Sequence, residues 1–246
     1  MTHSSTAPPS YLQDTGGRTG LMAWITSTDH KRIGVLYLAS MAGFFSVGVG
    51  IGFVMRLVQL TTFQKLITAQ TYNALFTLHG VIMIFLFVIP GLGVVFGNFF
   101  LPILIGAKDV AFPRLNLASW YFYMTGAILA ILSLFTGGGA PDTGWTFYVP
   151  FSIKTGTNVT LAIFGAFILG FSSMLTGINF ITTIHRLRAP GMKWFRMPLM
   201  CWALYATAWV QILATPILAI TLMLVILERL FGIGIFDPAR GGDPLL

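Results

Sequence analysis

Five long apolar runs, separated by short polar segments, dominate the sequence. They cover residues 33–57, 71–105, 115–135, 159–184 and 199–230. A helix needs about 20 residues to cross the hydrocarbon core of a bilayer, so each run is long enough to do so. The second and fifth runs exceed this length, which indicates tilted helices or protruding ends. The pattern predicts an all-α, polytopic membrane protein with about five transmembrane helices.

Local signals refine these helices. Pro90 and Pro216 lie inside apolar runs and predict kinks, because proline has no backbone N–H to donate. Thr28 or Asp29 is expected to cap the first long helix. Residues 1–26 are predicted to form a polar tail that ends in a short amphipathic piece at 21–25, and residues 27–246 form the transmembrane domain. The tail lacks the apolar core of a cleaved signal peptide.

Composition agrees with a membrane protein. The chain is 56% hydrophobic and only 9% charged, whereas soluble domains average about 25% charged residues. The net charge of +7 does not indicate a nucleic-acid partner here, because the basic residues are distributed unevenly between the loops on the two sides of the predicted bilayer. Nine of them lie on one side of the predicted bilayer and five on the other, which favours an inside N-terminus and an outside C-terminus. The single cysteine, Cys201, excludes an internal disulfide.

His79 is the one histidine inside an apolar run. Water cannot solvate an imidazole in the hydrocarbon core, so the side chain needs a partner. One reading is a histidine hydrogen-bonded between packed helices. The other is an axial haem ligand, because neutral imidazole is a common donor to haem iron.

Seven stretches resemble subunit I of the haem–copper oxidases, in the cytochrome c oxidase (aa3-type) branch. They occur in the family's order and extend over nearly everything after Ser27. The stretches are TDHKRIGVLYL (28–38), YNALFTLHGVIMIF (72–85), GNFFLPILIGAKDVAFPRLN (97–116), TGWTFY (143–148), GINFITTI (177–184), RAPGM (188–192) and FDPARGGDP (236–244).

The resemblance implies a haem site at one end of the bundle. It makes His79 an axial ligand of the low-spin haem A and places Arg56 against the haem formyl group. A guanidinium there would raise the reduction potential, although an interfacial arginine could equally snorkel to lipid headgroups. Tyr72 and Trp145 resemble residues near the same haem, and both would also suit an aromatic belt.

The resemblance also implies a proton-uptake route, the D pathway. Asp109 resembles its entrance at the inner face. The lower polar residues would be Asn98, Asn116 and Ser119, and the upper ones Tyr37, Ser172 and Ser173. Without the resemblance, asparagines also cap loops and serines also bond back to helix carbonyls.

The electron donor is predicted to be cytochrome c. Quinol-oxidising relatives carry Arg, Asp and Gln where this chain has Val47, Ile51 and Ala74. One departure from the family is Phe167, where a His or Gln is common, and it removes a polar group from the interior.

Another departure is that the sequence ends at Leu246, where the family continues into a sixth helix. We therefore expect the N-terminal part of subunit I, active only beside a C-terminal part that supplies the second haem ligand. The high-spin haem and copper B of the assembled enzyme would not be liganded by this chain. Expected partners are oxidase subunits II and III, cytochrome c and membrane lipids, in a respiratory membrane, with the bacterial plasma membrane favoured over the mitochondrial inner membrane.

Two other classes of protein compete with the oxidase. A dihaem electron carrier needs a second histidine at the depth of His79, and the sequence shows none there: His30 and His185 are expected at the inner surface. A non-catalytic haem-binding or structural membrane subunit would keep His79 without any oxygen chemistry. The activity predicted from the seven stretches is that of a proton-translocating cytochrome c oxidase.

Overall fold

The computed structural model describes residues 20–60 and 67–245, and most of these residues are helical. The helices are α1 (Gly20–Ile25), α2 (His30–Val58), α3 (Ala69–Ile105), α4 (Pro113–Leu132), α5 (Phe151–Lys154), α6 (Val159–Arg186) and α7 (Leu199–Phe231). Five of them, α2, α3, α4, α6 and α7, are long and apolar enough to cross a membrane. This confirms the predicted all-α membrane fold. The polar tail up to residue 19 lies outside the described residues.

Helix boundaries follow from local chemistry. Asp29 caps α2, since its Oδ1 accepts a hydrogen bond from the backbone N–H of Lys31 at 2.9 Å. Gly106 ends α3 in the left-handed conformation, at φ 76°, which glycine adopts without a steric penalty. The helix α4 stops at Leu132, three residues short of the predicted end of the run. The Ser133 hydroxyl there donates to the carbonyl of Ala130 at 2.6 Å.

The long helix α3 is not regular along its length. It is α-helical from Ala69 to Val81, has wider π-helical turns at Ile82–Val88 and Gly91–Val95, and returns to α-helix over Phe96–Ile105. Pro90 lies between the two π-helical segments and cannot donate a backbone hydrogen bond. π-Helical turns and prolines are both common causes of helix distortion.

The helices α4 and α6 pack at backbone distance. A Cβ atom on Gly126 would lie 2.7 Å from the carbonyl oxygen of Gly165, and one on Gly165 would lie 2.8 Å from that of Gly126. Small residues allow this approach, which supplies the dispersion contacts that hold helices together in a membrane. The helix α7 packs on the other side of α6, and α2 and α3 complete the bundle.

Two ends of the bundle can be distinguished by their residues. The first, here the Asp109 end, contains the start of α2, the turn between α3 and α4, and the loop between α6 and α7. The second, the Arg56 end, contains the end of α2, the start of α3 and the loop between α4 and α6. The functional residues suggested by the sequence lie near these two ends and along the core that joins them.

Candidate functional site

His79 is held by a backbone carbonyl of the neighbouring helix. Its Nδ1 atom lies 2.9 Å from the carbonyl oxygen of Gly48 on α2. A carbonyl can only accept, so Nδ1 carries the proton and Nε2 keeps a free lone pair. Metal-bound histidines are oriented in the same way, by a hydrogen bond from the ring nitrogen that does not bind the metal. The arrangement fits an axial haem ligand.

Glycine on α2 makes room for the imidazole. A Cβ atom on Gly52 would lie 3.1 Å from Cε1 and 3.4 Å from Nδ1 of His79, closer than ordinary van der Waals contact. On Gly50, two residues earlier, a Cβ atom would meet nothing within 4 Å. Of these two glycines, only Gly52 therefore lies close enough to the imidazole for its missing side chain to matter.

Trp145 packs against α3 at Gly80, the residue after His79, although it comes from a distant loop. A Cβ atom on Gly80, the residue after His79, would lie 2.7 Å from Cδ1 of Trp145. The loop is fixed to α3 because the backbone N–H of Gly144 donates to the hydroxyl of Thr77 at 2.8 Å. The structure therefore places Trp145 against α3 one residue away from His79.

Arg56 and Tyr72 are linked through a residue that the sequence did not single out. Nη1 of Arg56 donates to Oε1 of Gln59 at 3.1 Å, and Nε2 of Gln59 donates to the hydroxyl of Tyr72 at 2.7 Å. Arg56 lies four residues after Gly52, about 6 Å further along α2 at 1.5 Å per residue. These side chains are at the same end of the bundle as His79.

A second group of polar residues is buried where α2, α4 and α6 meet. The Tyr37 hydroxyl donates to the Ser119 hydroxyl at 3.0 Å and lies 3.1 Å from the Ser172 hydroxyl. Tyr37 and Ser119 have no exposed surface, and Ser172 is 5% exposed. Each buried hydroxyl has a partner, so three helices are joined by one short chain of hydrogen bonds. Ser172 and Ser173 both line an apolar cavity of about 820 Å³ between α3, α6 and α7.

Asn98 and Asn116 continue this chain towards the Asp109 end. Nδ2 of Asn116 donates to Oδ1 of Asn98 at 2.5 Å, and the hydroxyl of Ser119 donates to the carbonyl of Asn116 at 2.7 Å. The Oδ1 atom of Asn116 is buried and accepts no hydrogen bond from any described residue. A buried acceptor without a protein partner is a place where an ordered water can bind.

Asp109 lies in the turn between α3 and α4. Its Oδ1 accepts from the backbone N–H of Val110 at 2.6 Å. Burial raises the pKa of Asp109 above the ordinary value, with a smaller contribution from the charge of Asp29; the hydrogen bond from Val110 and the charge of His30 act in the opposite direction. The carboxyl group therefore holds a proton to higher pH than an exposed aspartate does.

His30 connects Asp109 to the asparagines. It lies at the start of α2, at the Asp109 end of the bundle, and its side chain is only 3% exposed. Its Nδ1 lies 2.5 Å from the backbone carbonyl of Asn98. Only the packing of the α3–α4 turn against the start of α2 buries it, and the sequence pattern carries no signal of that packing.

Three other buried polar residues of α6 were also missed. Asn179 exchanges hydrogen bonds with the backbone of Phe112, with Oδ1 accepting at 2.9 Å and Nδ2 donating at 3.3 Å. Thr183 accepts from the backbone N–H of Ala111 at 2.8 Å. Thr176 donates to the carbonyl of Ser172 at 3.0 Å. The sequence signal that could have identified them is their spacing of three and four residues, which places them on one face of the helix.

The residues do not form a metal site made of protein ligands alone. Within residues 20–60 and 67–245, no three His, Cys, Asp or Glu side chains are grouped closely enough to hold a metal ion. His79 is thus a single donor in an apolar environment. Such a donor set fits a metal that brings its own equatorial ligands, as haem does.

Comparison with known proteins identifies the family. The family model described as "Cytochrome C and Quinol oxidase polypeptide I" matches residues 32–246. A probable cytochrome c oxidase subunit 1-beta of Nocardia farcinica is 44% identical, with 90% of this chain and 38% of the relative covered. A cytochrome c oxidase subunit 1 of Synechocystis is 41% identical (89% and 39%), and one of Cereibacter sphaeroides is 39% identical (91% and 45%).

The chain spans about two fifths of the length of these relatives. Within that part, the match includes every transmembrane helix and both groups of polar residues described above. The chain therefore belongs to the cytochrome c and quinol oxidase polypeptide I family.

Proposed function

We propose that this chain is the part of a cytochrome c oxidase subunit I that binds the low-spin haem A and takes up protons. The hydrogen bond between His79 and the carbonyl of Gly48 carries the proposal, because it leaves Nε2 free to bind iron. The family membership and the buried polar chain from Asn98 to Ser172 support it.

His79 would hold the haem iron through Nε2, and the haem would supply one-electron redox chemistry when bound. The apolar residues Phe45, Val49 and Phe53 recur at intervals of four along one exposed face of α2, and they are suited to contact with a porphyrin edge. Arg56 lies one turn beyond them and would donate hydrogen bonds to the formyl group. Tyr72 fixes Arg56 through Gln59, and Trp145 covers the side of α3 next to His79.

The proton route starts at Asp109, where burial favours the protonated carboxyl group. Asn98 and Asn116 do not titrate, so they hold and orient water rather than exchange protons. The chain of hydrogen bonds then continues from Ser119 on α4 to Tyr37 on α2 and to Ser172 on α6. Ser173, on the cavity side of α6, is the last residue of the route in this chain.

Oxygen reduction belongs to the assembled enzyme. The high-spin haem, copper B and the second axial ligand of haem A need residues beyond those of this chain, which a C-terminal part of subunit I would provide. Oxidase subunits II and III would complete the complex. The reaction consumes one O₂, four electrons and four protons to form two molecules of water, and further protons cross the membrane.

Cytochrome c is the proposed electron donor. The named relatives are cytochrome c oxidases, and the apolar residues Val47, Ile51 and Ala74 replace the polar residues of quinol oxidases. The Asp109 end would face the inside of the cell, since the basic residues concentrate there. The proposed location is a bacterial respiratory membrane.

A difference spectrum of the complex that contains this chain tests the proposal. Reduction with dithionite should give an a-type haem signal, and carbon monoxide should shift part of it. His79→Ala should remove the low-spin component, whereas His185→Ala, which changes a histidine at the other end of the bundle, should keep it. A low-spin band that survives His79→Ala would contradict the ligand assignment. A spectrum insensitive to carbon monoxide would favour an electron carrier, and the absence of haem would favour a structural histidine.

A further inference from the structure

The end of α6 and the loop between α6 and α7 are strongly basic. They contain Arg186, Arg188, Lys193 and Arg196, here called the basic loop. Within residues 20–60 and 67–245, the three ion pairs join Lys31 to Asp29, and Lys154 and Arg240 to Asp237. The positive charge of the basic loop is therefore not neutralised by the described part of the chain.

Aromatic side chains continue from this loop along α7. Ring centroids are 5.7 Å apart between Trp194 and Trp202, 5.9 Å between Trp202 and Tyr205, and 6.2 Å between Tyr205 and Trp209. We call these four residues the aromatic ladder. Residues 202, 205 and 209 lie on one helix face. They span about 10 Å along the helix axis, so the ladder extends from the loop into the membrane-spanning part of α7.

Arg188 joins the basic loop to the aromatic ladder. Its guanidinium carbon lies 3.8 Å from the ring centroid of Trp194. Stacking covers one face of the guanidinium and holds it flat. Nη1 is buried and donates to no described residue, whereas the side chain as a whole is only partly buried. The remaining N–H groups of a guanidinium held in this way, on Nε and Nη2, can bind a phosphate through two parallel hydrogen bonds.

Apolar side chains beside the loop indicate contact with lipid rather than water. Phe195, which precedes α7, is 98% exposed, and Leu199, the first residue of α7, is 85% exposed. Exposed aromatic and basic residues at the end of a transmembrane helix are typical of the headgroup region of a bilayer. A lipid headgroup with a net negative charge matches the positive charge of the loop.

We propose that the basic loop and the aromatic ladder form a binding site for one anionic phospholipid. Arg188 binds the phosphate, Lys193 and Arg196 stabilise its negative charge, and an acyl chain lies along Trp202, Tyr205 and Trp209. This site lies at the Asp109 end, and it requires only that the chain spans a membrane. It is independent of the haem and proton roles proposed above.

Native mass spectrometry of the complex, released from nanodiscs of equal parts phosphatidylglycerol and phosphatidylcholine, tests the site. The wild-type complex should retain phosphatidylglycerol in preference to phosphatidylcholine. Arg188→Gln should lower this preference about fivefold, the effect expected for one basic residue at a membrane surface. Lys154→Gln removes the same charge at the opposite end of the bundle and should leave the preference unchanged.

Other outcomes would overturn the proposal. Equal retention of the two lipids, retention of neither, or an equal loss in Lys154→Gln would show that no specific site exists. Displacement of the lipid by soluble glycerol 3-phosphate at equal concentration would show a site for free phosphate instead. Arg188→Lys keeps the charge but loses the stacked, two-bond geometry, so a preference equal to that of the wild type would exclude the role of Arg188 as described.

Discussion

At the scale of single residues, the position of the His79 ring depends on the absence of a side chain on α2. Gly52→Ala would place a methyl group 3.1 Å from Cε1 of the imidazole, so the ring or the helix must move. We expect a shifted and weakened low-spin haem band in the difference spectrum. Gly50→Ala is the matched control, because its methyl group meets nothing within 4 Å. Identical spectra for the two variants would show that the contact is unimportant for haem binding.

Asp109 gives a second prediction at this scale, based on the direction of its pKa shift. Burial raises the folded-state pKa, so the protonated form stabilises the fold at low pH and this contribution is lost as pH rises through the folded-state pKa. Asp109→Asn should therefore stabilise the protein relative to the wild type at pH of about 7, and the gain should shrink towards the ordinary aspartate pKa of about 3.9. Thermal unfolding in detergent measures the difference.

The same variant tests proton uptake. Asparagine cannot carry a proton, so Asp109→Asn should slow turnover and uncouple pumping while the haem spectrum stays unchanged. Lys108→Gln, at the neighbouring exposed position, changes the local charge without removing an acid and serves as the control. Unchanged pumping in Asp109→Asn would exclude Asp109 as the entrance.

At the scale of secondary-structure elements, Arg229 fixes the loop between α4 and α6 to the end of α7. Its Nε donates to the Thr160 hydroxyl at 2.9 Å, and its Nη2 to the carbonyl of Thr157 at 2.8 Å. Its Nη1 donates to the carbonyls of Ser152 and Thr155 at 2.5 and 3.1 Å. Trp145 belongs to the same loop, so this guanidinium also supports the loop that packs against Gly80.

Arg229→Gln should loosen that loop. Hydrogen bonds from a charged donor contribute about 1.5–3 kcal/mol, and a loss of about 2 kcal/mol is expected because glutamine keeps part of the contacts. A lower unfolding temperature and faster proteolysis within residues 133–158 would show the effect. Arg114→Gln, an exposed arginine at the other end, should change neither. Equal behaviour of the two variants would mean that the carbonyls find other donors.

The elements show which parts of the fold the sequence could predict. Apolar runs locate five helices because the bilayer sets their length and composition. The π-helical turns on both sides of Pro90 were not predicted, since a proline indicates a distortion without specifying its form. The loop around Trp145 could not be placed either, because its position depends on two residues that are distant in sequence: Thr77, whose hydroxyl accepts a hydrogen bond from Gly144 of the loop, and Arg229, which donates to the loop carbonyls.

For the same reason, only some residues of the candidate site could be predicted from the sequence. His79 stands out by itself, as a histidine in an apolar run, whereas Asn98, Asn116 and Ser119 gain meaning only from the family resemblance. Nothing in the pattern indicates that His30 is buried or that Gln59 joins Arg56 to Tyr72, because both depend on contacts between different helices.

At the scale of the whole molecule, the buried polar residues form one connection between four helices. Asn98 is on α3, Asn116 and Ser119 on α4, Tyr37 on α2, and Ser172 on α6. Asn116 is the junction of α3 and α4, and its Oδ1 is the buried acceptor without a protein partner. A water bound there would continue the chain of hydrogen bonds from the Asp109 end into the core.

Asn116→Leu tests whether this connection works as a proton route. Leucine has a similar volume, but it offers no hydrogen bond to Asn98 and excludes the water. Turnover of the assembled complex should fall about tenfold, equivalent to about 1.4 kcal/mol on the barrier, with an unchanged haem spectrum. Asn73→Leu removes an exposed amide from α3, outside the polar chain, and should leave turnover unaltered. If Asn116→Leu also kept the wild-type rate, protons would have to cross the bundle elsewhere, and the buried amides would be explained by helix packing alone.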